Sequence, residues 1–292
     1  MSSSWLERRG EAPFDFYPYN PSKIGGWVFL ILFGIASVTH IVQVFWHRSW
    51  FFIVFFLGCV AETGGYYARQ WAHNHIRLSD PYLMQLFLLI GAVPLISASV
   101  YMTLPRFVRT LDAEEYVPMR VSWISKIYIL IDIACLALQI MGTVTLAYGD
   151  AGQQANAVYY IAGGLIFQLL AFFFFIFMAV RVEKGLKREV VGTLMTCGLG
   201  KKWKKYFWAL YAVSALIILR NAIRVIEFLQ GTDGTIASNE AYLYVFDAVP
   251  MFLVVLVLAL LHPGRLLKAA NRSVGEAESG GDGMAIPLTR EE

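Results

Sequence analysis

The chain has 292 residues, of which 58% are hydrophobic, 15% aromatic and only 15% charged, with a mean hydropathy of +0.56. A soluble domain carries about 25% charged residues, so too few charges remain to cover a water-exposed surface, and the bilayer is the expected solvent. The same figures exclude intrinsic disorder, the formal net charge of +3 is too small for a nucleic-acid surface, and three scattered cysteines (Cys59, Cys135, Cys197) suit neither a disulfide framework nor a structural zinc site.

Residues 1–23 are polar or mixed and hold no apolar core of a signal peptide, so insertion is expected to begin at the first span. A transmembrane helix needs about 20 mostly apolar residues. Windows of that kind predict an all-α bundle of seven spans: Ile24 to Trp46, Trp50 to Gln70, Pro81 to Leu104, Ile124 to Tyr148, Val158 to Arg181, Tyr206 to Leu229 and Ala241 to Leu261. Lys and Arg are retained on the cytoplasmic side. With the N-terminus outside, the inner segments hold Arg48, then Arg106, Arg109 and Arg120, then the bases from Lys184 to Lys205, then Arg265, Lys268, Arg272 and Arg290. The outer segments hold Arg8, Arg9, Lys23 and Arg77. The expected division is an extracellular segment 1–23, a membrane domain 24–261 and a disordered cytoplasmic tail 262–292. The inner loop 182–205, with interfacial Trp203 and Tyr206 beside its bases, suits an anionic cytoplasmic leaflet.

The informative residues are those that should be expensive in lipid, about 2.5 to 3.5 kcal/mol each near mid-span. Helix 2 carries Glu62, Tyr66 and Arg69 at offsets of four and three, and helix 6 carries Arg220, Arg224 and Glu227 at the same offsets. Each set makes one polar stripe. Asp247 on helix 7 and Gln85 on helix 3 lie in the same outer half, with Gln168 on helix 5 near the middle. Three acids (Glu62, Glu227, Asp247) thus face three bases (Arg69, Arg220, Arg224). Two readings stay open: an ion-pair network that locks helices 2, 6 and 7, or a polar cavity open to the outer leaflet for an amphipathic headgroup. A sparser set toward the cytoplasm contains His40, Gln43 and Asp132, where His40 and Asp132 have the option of neutralising each other. Gly64-Gly65 and Gly163-Gly164 permit close helix approach. Pro94 and Pro250 are expected to kink their helices.

Other chemistries lack their residues. Of five histidines only His40 lies well inside a span, so no metal site is expected beyond weak surface binding at His73-Asn74-His75. No phosphate loop of the form G-x-x-x-x-G-K followed by Ser or Thr occurs, and helix 7 has no Lys for a retinal Schiff base. No cofactor and no catalytic residue is assigned.

Several segments, in order, resemble the fungal lipid-translocating exporters, the RTA-like family: YNPSKIGGWVFLILFGIASVTHIVQ, AETGGYYAR, PYLMQLFLLIGAVPLISASVYMTLPRFV, IAGGLIFQ, and LRNAIRVIEFLQGTDGTIASNEAYLYVFDAVPM followed by HPG. AETGGYYAR is similar to that family's E-x-x-G-Y-x-x-R, with Thr63-Gly64 where larger apolar residues are usual. The resemblance implies a multi-pass fungal protein, expected in the plasma membrane, that moves lipids between leaflets or exports sphingoid bases and confers resistance to toxic amphiphiles. It assigns significance to Glu62, Gly65, Tyr66, Arg69, Gln85, Gln168, Arg220, Arg224, Glu227, Glu240 and Asp247. The expected partners are membrane lipids or amphipathic small molecules, with an ammonium headgroup held by Glu62, Glu227 and Asp247. The alternatives are a heptahelical lipid or stress sensor acting through Lys201, Lys202, Lys204 and Lys205, and a structural membrane protein in which the charges only lock the fold.

Overall fold

The computed structural model describes residues 17, 19–111, 113–148, 151–189, 203–231 and 234–268. The segment ahead of Tyr17, Lys201 and Lys202 of the basic loop, and residues 269–292 of the expected tail lie outside the described residues, whereas the first residues of that tail, 263–268, are helical rather than disordered. Among the described residues there is no strand, and seven helical stretches are long and apolar enough to cross a membrane.

Helix α1 (Lys23–His47) starts where Ser22, in extended conformation, accepts the Gly25 amide on its Oγ at 3.3 Å. It stops at Arg48, whose backbone is left-handed (φ 52°). The Arg48 amide turns back to the Phe45 carbonyl and the Ser49 amide to that of Val44, at 3.3 and 3.0 Å, which satisfies two end carbonyls. One 3-10 turn (Trp50–Phe52) leads into α2 (Ile53–Ala72).

Helix α3 (Ser79–Thr110) runs past the predicted Leu104, through Pro105, to the basic residues that were expected to lie in a loop. Hydropathy marks where the bilayer ends, whereas helical hydrogen bonding continues until a side chain or turn stops it. Here the Arg106 guanidinium lies 3.9 Å from the centre of the Phe51 ring and keeps the extra turn packed. Helix α4 (Val121–Tyr148) starts ahead of the predicted Ile124 and ends at the predicted Tyr148, and α5 (Ala151–Glu189) extends past both of its predicted ends.

Helix α6 (Lys204–Gln230) closes at Gly231, with φ 74°. Trp203, just ahead of it, is 2% exposed and packs edge-on against Phe207. Helix α7 is continuous from Glu240–Leu243 through a π-helical turn, Tyr244–Ala248, to Val249–Leu260. The wide turn precedes Pro250, which has no amide to donate, and the Val249 amide reaches back to the Tyr244 carbonyl. It carries Asp247, which is buried.

Each helix packs on its sequence neighbour, and α7 returns against α1 to close the ring. Helix α3 is the most buried span. Large apolar side chains remain exposed at helical spacing along α1 (Ile24, Ile31, Ile35, Val38, Val42, Phe45) and α5 (Phe167, Leu170, Phe174, Phe177). Such faces suit lipid. The ends of the bundle are called below the Tyr17 face and the His262 face.

Close helix contact depends on absent side chains at a few points. A Cβ on Gly142 of α4 falls 2.8 Å from the Ala157 carbonyl oxygen of α5 and 2.6 Å from Ile161 Cγ1, and one on Gly164 lies 3.0 Å from the Cys135 carbonyl. Gly163, expected to share this role, has nothing within 4 Å of a Cβ. Gly142→Val is therefore expected to cost about 1 to 3 kcal/mol through forced separation of α4 and α5. Thermal unfolding of purified protein checks this, with Gly163→Ala as the variant that leaves the midpoint in place.

Candidate functional site

The stripe on α6 meets α7 at the π-helical turn. There Asp247 takes Arg220 Nε on one carboxylate oxygen at 2.5 Å and Arg224 Nη2 on the other at 2.6 Å. Arg224 Nη1 also reaches both oxygens of Glu227 one turn along, at 3.0 and 3.3 Å. Charge-assisted contacts of this length satisfy both guanidiniums in a site that water scarcely enters. Arg220 further donates through Nη2 to the Leu89 carbonyl of α3 and through Nη1 to Asn221 Oδ1, both at 3.4 Å.

From Asn221 a chain of amides crosses the bundle. Asn221 Nδ2 donates to Gln168 Oε1 of α5 at 3.4 Å, and Gln168 Nε2 donates to Asp132 Oδ1 of α4 at 3.2 Å. Asp132 thus belongs to the same network as Arg220. It was expected with His40, but His40 Nε2 donates instead to the Val255 carbonyl at 3.1 Å, among the rings of Phe52 and Phe55. Asp132 is on the side of α4 turned to α5, where it meets Gln168, and not toward α1. Asn221 escaped the sequence reading, although a polar residue inside a span beside Arg220 is the signal by which its neighbours were found.

Arg69 also departs from expectation. It pairs at 2.7 Å with Glu240, the first residue of α7, rather than with Glu62, Glu227 or Asp247. Three phenol rings surround its guanidinium: Tyr244, Tyr19 and Tyr17, with centroids at 5.3, 5.7 and 6.0 Å. The Tyr244 and Tyr19 hydroxyls accept from it at 3.1 Å. Chain ahead of α1 is held here by three bonds: the Ser22 amide to Glu240 at 2.7 Å, His73 Nδ1 to the Pro21 carbonyl at 2.7 Å, and the Tyr17 hydroxyl to Gln85 Oε1 at 2.9 Å. Burial holds the Tyr17 phenol above its ordinary range, so it remains the donor to Gln85. Gln85 therefore fastens this strap across the Tyr17 face and does not join the Arg220 group.

With Arg69 committed to Glu240, the expected balance of three acids and three bases does not hold. Arg220 and Arg224 are matched by Asp247 and Glu227, and Glu62 is left over. Its side chain is 1% exposed, no described base lies within ion-pair distance, and Oε1 has no hydrogen-bond partner. It stays within electrostatic reach of Asp247, Arg220 and Arg224. Tyr66, one turn away, stacks on Phe33 with centroids 5.5 Å apart and leaves its buried hydroxyl without a partner. Asp132 Oδ2 is in the same position. A buried carboxyl without a base or a full set of donors costs several kcal/mol if ionised. The site thus has spare capacity for a proton or a cation.

Space is the other constraint. Tyr19, Arg220, Arg224, Glu227, Tyr242 and Asp247 line a cavity of about 20 Å³, room for one water. A polar cavity open to the outer leaflet was one of the two expected readings; the space beside these ion pairs is large enough for one water only, and Glu62 does not line it. Among the described residues no cluster of three or more His, Cys, Asp or Glu side chains has a metal-binding arrangement.

A family model described as RTA1 like protein matches residues 55–270. Protoporphyrin uptake protein 1 of Saccharomyces cerevisiae is 28% identical, over 86% of this chain and 92% of its own. A probable lipid transporter, atnI of Emericella nidulans, is 26% identical over 87% and 68% of the two chains, and the sphingoid long-chain base transporter RSB1 of Saccharomyces cerevisiae is 24% identical over 89% and 76%. No solved structure matches.

Proposed function

The chain belongs to the RTA1-like family, and from that premise and the state of Glu62 we propose that it carries cationic amphiphiles such as sphingoid bases between leaflets. It is an integral multi-pass membrane protein of a lipid transport and resistance family. The observation that carries the finer reading is the buried carboxyl of Glu62, which has an unpartnered oxygen beside two arginines that are already neutralised. An ammonium headgroup supplies the missing donors and charge, and a second anion there would have neither.

The same charge balance favours one of the chemistries in the relatives' names over the other. Protoporphyrin carries two carboxylates and would need free bases, but Arg69, Arg220 and Arg224 each hold a carboxylate of this chain. The ion pairs then have the task of holding α2, α6 and α7 together around the site. The cavity beside the ion pairs holds one water and is not lined by Glu62, so admission of a headgroup to Glu62 requires α2, α6 and α7 to part. The N-terminus lies outside in this reading, so the Tyr17 face meets the outer leaflet.

Purified protein in liposomes, with a leaflet-specific assay of labelled lipid, tests this. A sphingoid base is expected to cross at least about tenfold faster than its N-acylated neutral counterpart, since a lost charge-assisted contact in a dry site is worth about 1.5 to 3 kcal/mol. Equal rates for the two lipids, or inhibition by protoporphyrin as strong as by unlabelled base, would remove the role given to Glu62.

A further inference from the structure

We propose a second lipid site at the His262 face, where the crevice between α1 and the end of α7 holds an anionic phospholipid, with one acyl chain in a groove and the phosphate in a basic pocket. The groove, about 400 Å³, is walled by Leu32, Ile35 and Thr39 of α1 and by Phe252, Leu256 and Ala259 of α7. It ends at Gln43 and Arg265. Beyond it a pocket of about 580 Å³ is bounded by Trp46, Arg48, Ser49, Phe51, Gly264 and Lys268.

The two spaces follow one another along the same walls. On α1, Thr39, Gln43 and Trp46 are spaced by four and three residues and share a stripe. On the other wall the lining passes from Leu256 and Leu260 to Gly264 and Lys268. An apolar trough leading into a cationic pocket at a helix end has the shape and polarity of a lipid lying at its own depth. Phe45, Trp46 and Trp50 are exposed around the mouth, as aromatic side chains are at a membrane interface.

The pocket has polar capacity that the fold does not use. Among the described residues neither Arg48 nor Lys268 has an acidic partner. Ser49 is 5% exposed with its Oγ unpartnered, and Gln43 Oε1 is also without a donor. Arg48 occupies a left-handed backbone position that glycine would take without strain, so the side chain at 48 is not selected by the turn. The charge pattern assigns this face to the cytoplasm, where anionic lipids concentrate. The site stands apart from Glu62 and does not depend on the transport reading.

The test uses the full-length purified protein and native mass spectrometry, with palmitoyl-oleoyl phosphatidylserine, the matched phosphatidylcholine and inorganic phosphate as probes. The wild type should retain the serine lipid at least about tenfold more strongly than the choline lipid, as two cations near an anionic headgroup imply. Arg48→Gln with Lys268→Gln should bring the two lipids level, Arg48→Lys with Lys268→Arg should keep the preference, and Ala259→Trp should weaken both lipids by filling the groove. Equal retention of both lipids by the wild type, a preference that survives the double Gln variant, unchanged binding in Ala259→Trp, or displacement of the lipid by inorganic phosphate would each overturn the site.

Discussion

Asp247→Asn is expected to be the most destabilising single change in the membrane domain, with a loss of about 3 to 5 kcal/mol, the usual consequence of removing one partner from a buried ion pair. Asp247 is the only described carboxylate that meets Arg220, and it shares Arg224 with Glu227. Its replacement leaves the Arg220 guanidinium, 4% exposed, with only the Leu89 carbonyl and Asn221 as neighbours. The amide of Asn accepts on one atom and carries no charge, so it keeps at most one of the two contacts, and that one without its ionic character. Monodisperse yield and thermal midpoint in detergent check the effect. Adding Arg220→Gln should recover part of the loss, because Arg224 still holds Glu227 and the uncompensated charge is gone. No recovery in the double variant would mean that Arg220 contributes packing rather than charge.

Glu62→Gln should do the opposite: keep the fold and remove the function. Glu62 makes no ion pair with a described residue, and Gln has nearly its shape and no charge to bury, so no loss of stability is expected. Cells expressing the variant at matched abundance are expected to lose at least about 90% of base efflux, since a neutral amide offers an ammonium group no opposite charge. A merely structural Glu62 would show a lowered thermal midpoint with efflux per folded molecule unchanged. The contrast with Asp247 is the useful part. Both are buried acids in the same half of the bundle, but one is saturated with bases and the other is not.

The spans were legible because hydropathy and helix length report the same bilayer, and all seven appear within a few residues of their predicted cores. The polar residues were legible as a set for a similar reason: a charge in lipid is expensive whatever its partner. Who pairs with whom was not legible. Glu62 and Arg69 share a stripe of α2, yet seven residues of helix separate them by about 10 Å along the axis. That distance carries Arg69 to the start of α7 and into reach of Glu240, which hydropathy had placed outside the last span. The amide chain from Asp132 to Asn221 depends on the rotations of α4, α5 and α6 about their axes, which spacing within one helix does not report. The π-helical turn that presents Asp247 arises from local backbone hydrogen bonding ahead of Pro250 and has no periodic signature. The strap from Tyr17 to Ser22 is a run of chain outside any span, fastened by contacts between residues more than fifty positions apart.

The unpaired carboxyl of Glu62 is tested most directly by leaflet-specific flux of a sphingoid base into liposomes, comparing wild type with Glu62→Gln at equal amounts of folded, reconstituted protein. Flux should fall at least about tenfold in the variant while the thermal midpoint stays in place. Equal flux from the two proteins would contradict the assignment of the headgroup to Glu62.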